Sequence, residues 1–163
     1  MKGIVRRKAI DTQSDPYMRK AGPKGVTLCK KCGSVYRDKR WMTKSEVPES
    51  LAYVNKTEVL CPACKKVRDR FAQGFVTIKG AFVDGHRDEI IHLISNKEKR
   101  AEHINPLERI IEMKESKGLI EISTTTDKFA QRIGRMLEKT YSGSVEFKWS
   151  DDVKLARVTW TRQ

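Results

Sequence analysis

Four cysteines stand in two matching arrangements, Cys29-Lys-Lys-Cys32 and Cys61-Pro-Ala-Cys64, and the chain has no others. A two-residue gap lets one backbone turn present both sulfurs to a single ion, and four thiolates suit the tetrahedral preference of zinc. The pairs are separated by 28 residues, Gly33 to Leu60. That is longer than the commonest spacing, but loop-closure cost grows only logarithmically with length. The pattern predicts one zinc ion held by Cys29, Cys32, Cys61 and Cys64. Four protein ligands leave no position for a substrate, so the ion is expected to be structural. Thioredoxin-type redox chemistry is the competing reading; it calls for a pair that opens a helix within a βαβ unit, and neither pair reads that way.

Gly33 follows Cys32 directly, and glycine readily takes the left-handed turn that aims backbone amides at thiolate sulfurs. Val59–Val67 (VLCPACKKV) repeats the design and runs on into a helical turn. Basic residues crowd both pairs: Lys30, Lys31, Arg37, Lys39, Arg40, Lys65, Lys66, Arg68 and Arg70, with Tyr36, Trp41 and Tyr53 interleaved. Four thiolates on one zinc carry a net charge of minus two, which accounts for some of these cations but not for nine. Rings beside cationic groups are a common grip for single-stranded or looped RNA. The nine basic residues and Trp41 are therefore the expected nucleic-acid contacts, although each aromatic also suits packing in a small metal core.

The whole chain of 163 residues carries 34 Lys/Arg against 21 Asp/Glu, a net charge of +13. Residues 1–80 hold 19 Lys/Arg and 7 Asp/Glu (net +12), whereas residues 81–163 are close to neutral with 15 and 14. So one-sided a field favours a polyanionic partner, because each phosphate neutralised releases condensed counterions. His86, His92 and His103 lack the one-turn spacing of a helical chelate, and no phosphate loop, nucleotide fingerprint or activated nucleophile is visible, so no enzymatic activity is expected. No apolar run approaches a membrane span, the N-terminus lacks the apolar core of a secretory signal, and paired cysteines suit thiolates in a reducing compartment. The expected location is the cytoplasm.

These groups need elements to position them. Residues 1–25 mix Lys, Arg, Asp, Gly and Pro without periodicity and are expected to form a mobile basic arm that includes Arg6-Arg7-Lys8. Residues 26–73 form the zinc-binding module. Residues 74–163 show regular periodicity: a strand over GFVTIKGAFV; a helix capped by Asp84 and running to about His103; two strands flanking Lys117-Gly118; a helix capped by Thr126 or Asp127; and two closing strands. The helix capped near Thr126 carries an apolar stripe of Phe129, Ala130, Ile133, Leu137 and Tyr141, which faces one side at helical spacing. The expected class is α+β: a four-cysteine zinc ribbon followed by a ferredoxin-like antiparallel sheet, βαββαβ plus one strand.

LCKKCGSVYRDKRW, LCPACKKVRDRFAQGFVTIKGAFVDGHRDEI, NPLERI, STTTDKFAQRIG and VTWTR together resemble a bacterial family of small zinc-ribbon proteins. More faintly, the paired knuckles followed by TTTDKFAQRIGRMLEKTYSG are similar to the zinc-bearing part of the archaeal and eukaryotic export adaptor of the large ribosomal subunit. That resemblance implies docking on ribosomal RNA, with Cys29, Cys32, Cys61 and Cys64 as zinc ligands. The chain has only two knuckles and no room for the adaptor's later domains, so nuclear export is not implied. The function expected is a non-enzymatic zinc-containing factor that binds RNA, foremost ribosomal RNA or the ribosome. Its rivals are a DNA-binding regulator, disfavoured by the lack of a helix-turn-helix pattern, and an accessory subunit of an RNA-processing enzyme.

Overall fold

Two sheets with separate buried clusters divide the chain. The computed structural model describes residues 15–18, 22–51, 56–150 and 152–163. Arg6-Arg7-Lys8 and Tyr53 lie outside the described residues. The first sheet is built from four three-residue strands, β1 (Thr27–Cys29), β2 (Val35–Arg37), β3 (Arg40–Met42) and β4 (Thr57–Val59), in the order β3-β2-β1-β4. Strands this short bury little apolar surface of their own. What they enclose is the sulfur cluster, with Trp41 and Ala63 packed against Cys29, Cys61 and Cys64.

Helix α1 (Pro62–Asp69) leads from there to the second sheet. This sheet has five strands: β5 (Gly74–Lys79), β6 (Ile110–Ser116), β7 (Leu119–Thr124), β8 (Ser144–Trp149) and β9 (Ala156–Thr161), in the order β6-β7-β5-β9-β8. Side chains alternate across a strand, so Val76, Ile78, Ile120, Ile122, Val158 and Trp160 all face one way and are buried. Helices α2 (Ala81–Ile104) and α3 (Asp127–Tyr141) cover that face, and Phe75, Glu121 and Arg157 lie on the other. On α3 the expected stripe is buried at Phe129, Ala130, Ile133 and Leu137, and Thr126 is the cap, its hydroxyl accepting from the Phe129 N–H at 3.2 Å.

The element order from residue 74 is the expected one, but the sheet differs in two ways. It is not wholly antiparallel, because β5 and β9 run parallel at its centre, from Gly74↔Ala156 to Lys79↔Thr161. The added strand is also not at the margin: β9 occupies the place beside β5 where a ferredoxin-like order would put β8, and β8 is displaced to the edge. The physical reason is that β8 and β9, with six residues between them in sequence, form an antiparallel pair. Whichever of the two docks on β5, the other must be the outer strand.

Two local expectations also change. The strand expected through Val83 stops at Lys79, because Gly80 turns the chain at φ 122°, where an added Cβ would overlap the Arg162 carbonyl. α2 therefore starts at Ala81, and Asp84 is not its cap. The Asp84 carboxylate instead accepts from the Gly118 N–H at 2.7 Å and tethers the helix to the β6–β7 turn. The helix is kinked at His86 (φ −130°, ψ 18°), close to the expected start. The last part of the region expected to be an arm also packs: Asp15 is buried, and the Tyr17 ring lies 4.9 Å from Phe71.

Candidate metal centre and adjoining groove

The two cysteine pairs are brought together by strand pairing. β1 and β4 run parallel with Cys29 opposite Val59, so both chains arrive at the same end of the sheet and each begins its knuckle there. After β1 the chain turns through Lys30–Gly33: the Gly33 N–H donates to Cys29 O at 3.0 Å and the Cys29 N–H to Ser34 O at 2.7 Å, with Gly33 at φ 78°. After β4, Cys61 caps α1 and Pro62 takes the first helical position, where a missing N–H costs nothing. The second pair thus opens the expected helical segment, but not within a βαβ unit, since β4 and β5 belong to different sheets. The redox alternative is disfavoured also by which sulfurs are close.

Those close pairs run across the knuckles. Cys29 Sγ lies 3.7 Å from Cys64 Sγ, and Cys32 Sγ 3.8 Å from Cys61 Sγ. All four sulfurs lie within 4.8 Å of one another. A tetrahedron with metal–sulfur bonds of about 2.3 Å has edges of about 3.8 Å, so the donors fit one ion of that size. Backbone amides support them: the Cys61 N–H donates to Cys29 Sγ at 3.3 Å and the Cys64 N–H to Cys61 Sγ at 3.4 Å. Cys29, Cys61 and Cys64 are buried and Cys32 is half-buried.

Four sulfurs so close cannot all ionise without a cation. A hydrogen bond from Cys61 holds Cys32 down at about 3, while the same bond and burial push the Cys61 thiol well above its ordinary value. Burial pushes Cys64 up to about 11. The charge is favoured on Cys32 and disfavoured on Cys61 and Cys64, an arrangement that a bound divalent ion would replace by displacing protons. The cluster can hold a metal ion.

Sequence reasoning missed Arg109. Its Nη1 reaches Cys64 Sγ at 3.7 Å from the loop before β6, 45 residues away. Burial works against its charge, but the neighbouring Cys32, Glu102 and Cys64 outweigh that and raise its pKa. No spacing rule marks such a residue, because it comes from the other sheet's half of the chain.

Among the ten expected nucleic-acid contacts, Lys39, Arg40, Trp41 and Lys65 line one groove of about 1090 Å³ beside the metal centre. Tyr17, Lys24 and Tyr36 join them, and no carboxylate is part of the described lining. Trp41 is a correction as a stacking surface: only 8% of it is exposed, and its ring packs 5.4 Å from Tyr36 in the sulfur-centred core. Lys66 is a second correction. It is 3% exposed, and its ammonium donates to Asp15 Oδ2 at 2.7 Å, Gln73 Oε1 at 2.9 Å and Thr125 O at 3.1 Å. Helix α1 turns this side chain inward, so it cannot meet a phosphate. Lys30 and Lys31 are exposed on the first knuckle turn, outside the groove. Arg37 pairs with Asp38 at 3.2 Å and Arg68 with Asp69 at 2.7 Å. Arg70 lies away from the groove, by the open face of the second sheet near Arg157.

No protein-family model, curated protein or solved structure matches the chain. Among the described residues, no helix is long and apolar enough to cross a membrane.

Proposed function

We propose that the chain is a non-enzymatic RNA-binding factor in which a single structural zinc ion holds the basic half in shape. The observation that carries this reading is the groove: Lys24, Lys39, Arg40 and Lys65 line it together with Tyr17 and Tyr36, no carboxylate is part of the described lining, and Glu46 pairs with Arg40 at 3.4 Å from outside it. Four cations spaced along a groove suit a phosphate backbone, and partly exposed tyrosine rings suit unpaired bases, which stack without regard to sequence. Zinc is favoured over other ions by an all-thiolate donor set with tetrahedral sulfur spacing. The RNA assignment rests on the groove and the +12 charge of residues 1–80; the ribosomal assignment rests on the resemblance of motifs alone.

Anisotropy titrations with labelled single-stranded RNA over a range of salt test the first assignment. Replacing Lys39, Arg40 and Lys65 by Ala should weaken binding and flatten the log–log salt slope by about 2, at roughly 0.7 per lost phosphate contact. An unchanged slope would move the binding surface elsewhere. Gradient sedimentation of a lysate tests the second: a ribosomal role requires the protein in a subunit or ribosome fraction, and finding it only at the top of the gradient would remove that role.

A further inference from the structure

The five-stranded sheet has two outer strands, and they are finished differently. On β6 the register breaks between Ile110 and Glu112, and the Ile110 N–H donates to Glu98 Oε1 at 2.8 Å. A bulge and a side-chain acceptor are devices that blunt an edge against further pairing. β8 runs unbroken against β9, from Ser144↔Thr161 to Trp149↔Ala156. On its open face stand Glu146 and Lys148, 64% and 71% exposed and 3.5 Å apart. On the face that carries the helices stand Val145, Phe147 and Trp149. The first two pack at the margin of the core, and Trp149 stacks on Phe147 while remaining 45% exposed.

We infer that β8 pairs with β8 of a second copy of this chain, antiparallel and centred on Phe147, to make one ten-stranded sheet. The strand is self-complementary only in that register. A two-fold axis through Phe147 sets Glu146 opposite Lys148 of the copy twice over, and Val145 opposite Trp149 twice over. Moving the centre to Glu146 or to Lys148 sets like charges face to face, which is unfavourable for directly opposed residues. The axis keeps each row of side chains on its own face, so the helices of both copies lie on the same side.

That side has room for them. α3 packs chiefly on β9 and β5, and three strand spacings separate β9 from its copy, roughly 14 Å at about 4.8 Å each. Helices of about 10–12 Å diameter fit side by side at that distance, with the Phe147 and Trp149 rings of both copies filling the seam. The edge also belongs to the near-neutral half of the chain, which has 15 Lys/Arg against 14 Asp/Glu.

Sedimentation velocity of the full, metal-loaded chain over a concentration series tests the inference without using RNA. The wild-type chain should form a dimer. E146K alone, or K148E alone, should raise its dissociation constant roughly tenfold or more, since each swap makes two attractive pairs repulsive. The double variant E146K/K148E should restore the dimer, and so should an equimolar mixture of the two single variants, whose edges are then opposite in charge. Both side chains are exposed, so the swaps leave the fold intact, which far-UV circular dichroism checks. A wild-type chain that stays monomeric throughout the series, or a dimer that the single swaps leave unchanged, overturns the inference.

Discussion

Lys66 carries its ammonium into a site where three acceptors, Asp15, Gln73 and the Thr125 carbonyl, match its three N–H donors. Burial pulls its pKa below the ordinary lysine value while Asp15 holds it up. The energetics of such a pair lie less in its net worth than in the cost of breaking it: removing one member leaves the other charge buried, at about 3–5 kcal/mol. Lys66→Ala should therefore lower stability by about 3 kcal/mol. Lys30→Ala, on an exposed turn, should change it by no more than about 0.5 kcal/mol. Urea denaturation of the metal-loaded protein measures both, and equal costs would mean that the buried pair does not hold residues 15–18 in place.

At the scale of elements, the fit of α3 to the sheet depends on where side chains are absent. A Cβ at Gly74 on β5 would stand 2.6 Å from Ala130 Cβ and 2.7 Å from the Thr126 carbonyl, so the start of α3 sits directly on the strand. Gly134 makes the same close approach on α3 itself, where a Cβ would overlap Val158. Gly74→Ala should push the helix off the sheet at a cost of about 1–3 kcal/mol. Gly85 on α2 gives the contrast, since nothing lies within 4 Å of its added Cβ. Gly85→Ala should raise stability by up to about 1 kcal/mol through helix propensity alone. Thermal melts of the two variants, moving in opposite directions, would verify the packing; a neutral Gly74→Ala would contradict it.

For the molecule as a whole, the two buried clusters differ in what holds them. The sheet domain has 14 buried residues in its own apolar cluster and needs no ligand. The first cluster is chiefly Cys29, Cys61 and Cys64 with Trp41 and Ala63, so an ion bound at the sulfurs would supply much of what holds it. Chelation, or Cys61→Ser, should release the metal and shift the emission of Trp41, with loss of RNA affinity, while β5–β9 and their helices stay folded. Tryptophan fluorescence and far-UV circular dichroism together distinguish this from a single cooperative collapse. Lys66 to Thr125 and Arg109 to Cys64 cross between the clusters, so the sheet domain should also melt a few degrees lower without metal.

The four-cysteine cluster that could hold a metal ion was legible from spacing alone, because coordination needs only residue type and a turn of the right length. So were the helical stripe from Phe129 to Leu137 and the hairpin at Lys117-Gly118, whose periodicity and turn chemistry are local. Three features were decided only by the tertiary structure. Lys65 faces the groove and Lys66 the interior, because the helix that turns one outward turns its neighbour in, and a run of charges does not record its own phase. Arg109 reaches the sulfurs because β6 begins beside α1, a proximity that no spacing between residues 64 and 109 expresses. β9 rather than β8 lies beside β5, because two strands of the same length and similar alternation compete for one place. The burial of Val158 and Trp160 against α3, compared with the half-covered Val145 and Phe147, settles that competition through packing that exists only once the helix is in position.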